Sequence, residues 1–223
     1  MKRSIIILAC FVSLATMAQA QFSQLHLGAA FPSGKFAEDG NNDDTGSAAT
    51  GFTIGYKYYG PLSVENLSWV LGIEAFYNGL NSTAKDRLDN LGYGHQNITY
   101  SKYLNFPVTF GLNYAIPLSE SLKLYGEAAI GANLSMMTQT RLSDSNTNYE
   151  DVTVTTTPMV GFAYGLEAGI FIKEKVSIGV RYNSLGSYKF KQQFKGSVSA
   201  TENVPFNKAL PIAITSLSAG FLF

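Results

Sequence analysis

The chain has 223 residues, of which 46% are hydrophobic, 13% aromatic and 14% charged, with 16 basic against 16 acidic side chains. A soluble domain carries about 25% charged residues, so something other than water must cover part of this surface. Balanced charge supplies no long-range field for nucleic acid, and a single cysteine, Cys10, excludes a disulfide framework or a thiolate metal site.

Met1-Lys2-Arg3, the apolar run from Ser4 to Met17, and Ala18-Gln19-Ala20 before Gln21 stand in the order of a secretory signal. The run is too short for a permanent helical span, which needs roughly 20 apolar residues. Cleavage is expected after Ala20. Ile7-Leu8-Ala9-Cys10 bears a faint likeness to a lipoprotein processing site, but Leu8 fits that pattern badly and the apolar stretch before it is short. Removing Lys2 and Arg3 from the 16 basic residues leaves 14 against 16 acidic ones, and residues 21–223 have the length of one all-β barrel or sandwich.

From there the dominant pattern is alternation at period two, the mark of strands with one apolar face. Leu25, Leu27, Ala29 and Phe31 alternate with His26, Gly28 and Ala30. Phe52, Ile54, Tyr56 and Tyr58 alternate with Thr53, Gly55 and Lys57. Trp69, Leu71, Ile73, Ala75 and Tyr77 stand against Gly72, Glu74, Phe76 and Asn78, and Leu104 through Ile116 against Tyr103, Asn105, Pro107, Thr109, Gly111 and Asn113. Four further runs begin near Leu122, Val160, Val176 and Ala213, the last reaching Phe223. That makes eight strands.

The connections alternate in length. Residues 32–49, 80–98, 139–155 and 191–211 are long and polar, whereas the links near 60–68, 117–121 and 173–175 are short. Short periplasmic turns, longer extracellular loops, an even strand count and an apolar outer band characterise outer-membrane barrels, and both chain ends then fall on the periplasmic side. A soluble lipocalin-like barrel also alternates, but it needs a charged exterior. Here the face opposite the apolar one is mostly Gly, Ala, Ser, Thr and Asn, which suits a filled lumen. Within the second long loop, Thr83-Ala84-Lys85-Asp86 predicts a short helix with Thr83 as N-cap, Leu88 and Leu91 on one side and Gly92 at its end.

The leader, the eight alternating strands, the four long loops and the terminal Ala219-Gly220-Phe221-Leu222-Phe223 resemble the small outer-membrane β-barrel family that includes the OmpA transmembrane domain, OmpX and OmpW-like proteins. The resemblance spans the chain after the leader. It implies an eight-stranded antiparallel up-and-down transmembrane barrel and, as partners, outer-membrane lipids, lipopolysaccharide and the barrel-assembly machinery. It also implies that Phe223, with Phe221 and Leu217, forms the C-terminal assembly signal. A peptidoglycan-binding domain of the OmpA kind does not follow these strands in the sequence.

An eight-stranded barrel is just wide enough to be filled by side chains, so its interior charges must be paired. The lumen-facing set contains Glu74, Glu127, Glu167 and Arg181, with Lys57 and Lys123 placed nearer the periplasmic rim. Residues 167 and 181 are symmetric about Glu174 in the short link, which makes them direct cross-strand neighbours. A bidentate Glu167–Arg181 pair, with Glu127 or Glu74 sharing the guanidinium, is predicted. Its bland role is to satisfy buried charge and fix register; the resemblance adds a gate, in which Arg181 changes partners to open a narrow path for small solutes. A lipid-modifying enzyme would need a base, and His26 and His95 are the histidines available. The loops carry acidic tips at Glu38, Asp39, Asp43 and Asp44 and at Asp144, Glu150 and Asp151, and basic residues at Lys189, Lys191 and Lys195. The spacing of an EF-hand is absent, so no metal, cofactor or catalytic residue is expected. The expected role is structural or interaction-type, with an unidentified ligand at the loops.

Overall fold

The computed structural model of the chain describes residues 21–40, 44–91, 97–143, 151–196, 202–205 and 208–223. The expected leader, Cys10, Asn41 to Asp43, Gly92, His95, Asp144 and Glu150 lie outside these residues. Among the described residues thirteen strands follow one another in the chain: β1 (Phe22–Ser33), β2 (Gly51–Pro61), β3 (Leu67–Asn78), β4 (Asn97–Thr99), β5 (Tyr103–Ser119), β6 (Leu122–Met137), β7 (Thr140–Ser143), β8 (Val152–Thr156), β9 (Met159–Ile172), β10 (Val176–Tyr188), β11 (Lys191–Gly196), β12 (Glu202–Pro205) and β13 (Leu210–Leu222). Helix α1 spans Ser82–Leu91.

Eight of the strands close a barrel in the order β1-β13-β10-β9-β6-β5-β3-β2, every pair antiparallel. Each neighbour is also the next barrel strand in the chain, except where β1 meets β13 to close the ring. Closure reaches the last residue, because Ser23 N–H donates to Phe223 O at 2.8 Å and Phe223 N–H to Ser23 O at 2.9 Å. The links 62–66, 120–121 and 173–175 gather at one end, the turn end, and the long connections at the other, the loop end.

The alternation separates inside from outside as a pleated strand must. Leu27, Ile54, Ile73, Phe110, Ile130, Leu166, Val180 and Leu217 are all exposed to between 49% and 69%, a continuous apolar band that needs lipid rather than water around it. Tyr58, Trp69, Tyr114 and Phe221 lie on strand segments near the turn end with Phe223 just past β13, and Phe31, Phe52, Tyr77, Phe106 and Phe162 near the loop end. These are the two aromatic girdles.

The described parts of the long loops carry more regular structure than their polar composition predicts. Strands β12-β11-β8-β7-β4 form a second, five-stranded sheet that continues the wall above β13, β10, β9, β6 and β5. Helix α1 starts earlier than expected: Asn81 Oδ1, not Thr83, caps it by accepting the Ala84 N–H at 2.9 Å. Asn is as good a cap as Thr, and at position 81 it reaches the third helical N–H.

Candidate functional site: the barrel interior

The inner face of β6, β9 and β10 carries one continuous row of charge. Glu127 pairs with Glu167, and Glu167 with Arg181. Directly opposed carboxylates repel, and two cations straddle them. Arg181 Nη1 lies 2.9 Å from Glu127 Oε1 and 3.3 Å from Glu167 Oε2. Lys57, reaching in from β2, places Nζ 3.0 Å from Glu127 Oε1 and also contacts Glu167 Oε2. Glu74 of β3 completes the set, with Oε2 3.6 Å from Arg181 Nη2 and Oε1 3.0 Å from His26 Nε2.

All four predicted lumen residues therefore meet, with two differences from the expected arrangement. The guanidinium is not forked onto Glu167 but divided among three carboxylates, because Glu127 and Glu74 approach from two sides. Lys57 is not at the rim: it is 1% exposed, its long stem carrying the ammonium into the cluster. Lys123 does stay at the rim, paired with Glu174. His26 was legible as a lumen-facing residue, but not its contact with Glu74, which crosses from β1 to β3.

Hydrogen bonds from the next layer hold the carboxylates in place. Tyr125 Oη donates to Glu167 Oε1 at 2.6 Å, and Tyr59 Oη lies 3.1 Å from Glu127 Oε2. The rings of these tyrosines belong to an aromatic floor on the turn side. Tyr125 stacks on Phe171 at 4.2 Å and Tyr59 on Phe22 at 4.4 Å, with Leu222 beside them. Beneath this floor a recess of about 610 Å³ opens at the turn end, lined in part by Phe22, Phe171, Leu222, Lys123 and Glu174. None of the five cluster charges lines it.

Toward the loop end, the cluster gives way first to asparagines and then to an apolar lid. Asn133 Nδ2 donates to Asn105 Oδ1 at 3.1 Å, and Arg181 Nε donates to Asn183 Oδ1 at 2.8 Å. Above them Phe36, Phe76, Tyr103, Leu185, Tyr188, Phe190, Leu210, Ile212 and Ile214 form the largest buried apolar cluster among the described residues. Phe36, on the 3₁₀ turn Gly34–Phe36, is fully buried there. Its loop is tied to α1 and its cap by Asn81 on Asp39 and by Arg87 Nη1 on Gly40 O at 2.6 Å, and to β5 by Tyr103 Oη on Gly46 O at 2.8 Å. The Asn81 hydrogen bond holds the Asp39 carboxyl below its ordinary 3.8.

The small polar filling expected of the inner face is present in residues such as Thr53, Asn105, Thr109, Ser135 and Ser216, and aromatic and apolar clusters join it toward the two ends. Of the other predicted residues, Leu217, Phe221 and Phe223 are 50%, 56% and 67% exposed on the outer face of the closing strand region.

Solved structures with the same architecture include Neisserial surface protein A, at TM-score 0.52 and 14% identity over 91% of this chain and 95% of that one. A major outer membrane protein from Thermus thermophilus matches at TM-score 0.56 and 11% identity over 92% of this chain and 100% of that one. At these identities the likeness is one of fold. No curated protein is detectably similar in sequence. The model of the outer membrane protein beta-barrel domain matches residues 4–206, so the chain belongs to that family and is a protein of the bacterial outer membrane.

Proposed function

We propose that this is a non-conducting, non-enzymatic outer-membrane barrel of the structural or interaction type, whose loop end faces the outside of the cell. One observation carries the reading: the side chains of Lys57, Glu74, Glu127, Glu167 and Arg181 are each only 2–3% exposed, between an aromatic floor and an apolar lid. An ion on its way through would have to lose its water in both layers. The cluster fixes the relative positions of β2, β3, β6, β9 and β10 from within.

A gate remains the second reading, because Arg181 already divides its contacts among three carboxylates and needs little movement to change partners. Re-pairing by itself leaves Phe36, Phe190 and the Tyr125–Phe171 stack in the path. Against an enzyme, His26 Nε2 is engaged by Glu74 inside the lumen, out of reach of membrane lipid. Function then belongs to the loops, and the leader before Gln21 with the outward Leu217, Phe221 and Phe223 serves export and assembly.

Two measurements test this. Liposomes carrying the refolded barrel are expected to swell in small sugars and amino acids no faster than protein-free liposomes; rapid swelling would favour the channel. Protease added to intact cells is expected to cut near α1 and β11 and to spare Lys173 and Lys175, whereas the reverse pattern would invert the orientation.

A further inference from the structure

Asn113, on the inner face of β5, is 2% exposed, and its Nδ2 meets no hydrogen-bond acceptor among the described residues. Its cross-strand neighbours are Ser68 on β3 and Glu127 on β6. Asn113 and Ser68 both line the recess at the turn end. A buried amide N–H is costly to leave without an acceptor, and such a group calls for a partner.

The recess is apolar where a turn is ordinarily polar. Leu62 and Val64, in the link between β2 and β3, line it and are exposed, as is Phe223 beside them. The link is fixed in place: Asn66 holds φ at +63°, a conformation that Asn tolerates better than most residues, and its carbonyl accepts the Ala115 N–H at 3.0 Å. Phe22, Phe171 and Leu222 close the inner end. At about 610 Å³ the volume lies within the range of small-molecule pockets, roughly 300–1,000 Å³.

We propose that this recess binds an uncharged small molecule that has an aromatic or aliphatic body and an amide or ester carbonyl. The carbonyl oxygen accepts from Asn113 Nδ2, and the body lies against Phe22, Phe171 and Leu222. Charge selects the class. The lining carries Glu65, Glu174 and Lys123, and Lys123 is already paired with Glu174. A carboxylate at Asn113 would stand beside Glu127 and be repelled, whereas a cation would be stripped of water among aromatic rings. Backbone pairing argues for a small molecule rather than an extended peptide. Around the mouth the Leu222 N–H donates to Lys175 O and the Lys173 N–H to Ser121 O, both at 2.7 Å, so these backbone groups are already paired. The site depends on neither the orientation of the barrel nor the sealing of its lumen.

The test titrates the isotope-labelled, refolded barrel in nanodiscs with N-benzylacetamide, phenylpropionate and benzylammonium, which share a ring and differ in charge. Empty nanodiscs supply the correction for partition into lipid. N-benzylacetamide is expected to shift the Asn113 side-chain amide and the Phe171 and Leu222 backbone amides in a saturable way, with a Kd of about millimolar for a molecule of this size. The two ions are expected to bind roughly fivefold or more weakly, because each must shed its water. Asn113→Leu is expected to remove the preference for the amide. Asn183→Leu is expected to keep it, although Asn183 Nδ2 also lacks an acceptor among the described residues. Should Asn113→Leu not fold, as judged by heat-modified mobility, Ala115→Phe, which narrows the recess, is expected to abolish the shifts. Equal binding of the three compounds, no saturable shift at Phe171 and Leu222 in the wild type, or undiminished binding in Asn113→Leu or Ala115→Phe would overturn the proposal.

Discussion

Arg181 and Lys57 each touch both Glu127 and Glu167, so either cation alone leaves the opposed carboxylates only half neutralised. Removing one partner from a buried ionic cluster costs about 3–5 kcal/mol. Arg181→Ala is therefore expected to lower bilayer unfolding stability by that amount, as is Lys57→Ala, and the double variant by less than the sum because the two share partners. Urea titration of the refolded barrels checks this; additive effects would mean that the cations act separately. At the loop end, Asp39 behaves as a depressed carboxylate. Its contribution to holding the Phe36 loop on α1 is complete above pH 3.8 and is lost as pH falls through the lowered value. Asn81→Ala is expected to raise the Asp39 titration midpoint toward 3.8, followed by carboxyl NMR; an unmoved midpoint would assign the depression to another neighbour.

The elements show why part of this was legible in the sequence and part was not. Period two gave the faces of the eight barrel strands, and symmetry about Glu174 gave the Glu167–Arg181 register, because both are local consequences of a pleated hairpin. Contacts across the lumen, such as Lys57 with Glu127 or His26 with Glu74, depend on strand tilt and stagger, which no short window of sequence encodes. The lid was hidden for a different reason. Phe36, Leu210 and Ile212 fall in or beside segments that read as polar loop, and Gly186 breaks the alternation just before Tyr188 and Phe190 turn inward. A Cβ at Gly186 would lie 2.9 Å from Tyr188 Oη and 3.0 Å from Phe162 O, on backbone with positive φ. Gly186→Val is expected to cost at least about 1–2 kcal/mol and to loosen the lid, seen as faster amide exchange at Tyr188 and Phe190. Phe223→Ala is expected to act elsewhere: its ring faces outward while its backbone closes the ring of strands, so refolding in vitro should change little while assembled barrel in cells falls. Equal cellular levels would remove the assembly role.

At the scale of the molecule, the barrel resembles a short column filled in layers: aromatic floor, five charges, asparagines, apolar lid. Burying three carboxylates is costly unless they are fully paired, and in the proposed reading the layers on either side of them block ions. The wall meanwhile extends past the apolar band as the β4-β7-β8-β11-β12 sheet. In the proposed reading, stability resides inside the barrel and recognition at its loops. The sealed lumen is the claim on which the rest depends, and single-channel recording in planar bilayers addresses it most directly. Wild type is expected to give no resolvable conductance steps, and a Phe36→Ala/Tyr125→Ala variant, which thins both apolar layers, to give them. Steady steps in the wild type that vanish in Arg181→Ala would contradict the account and establish the cluster as a gate.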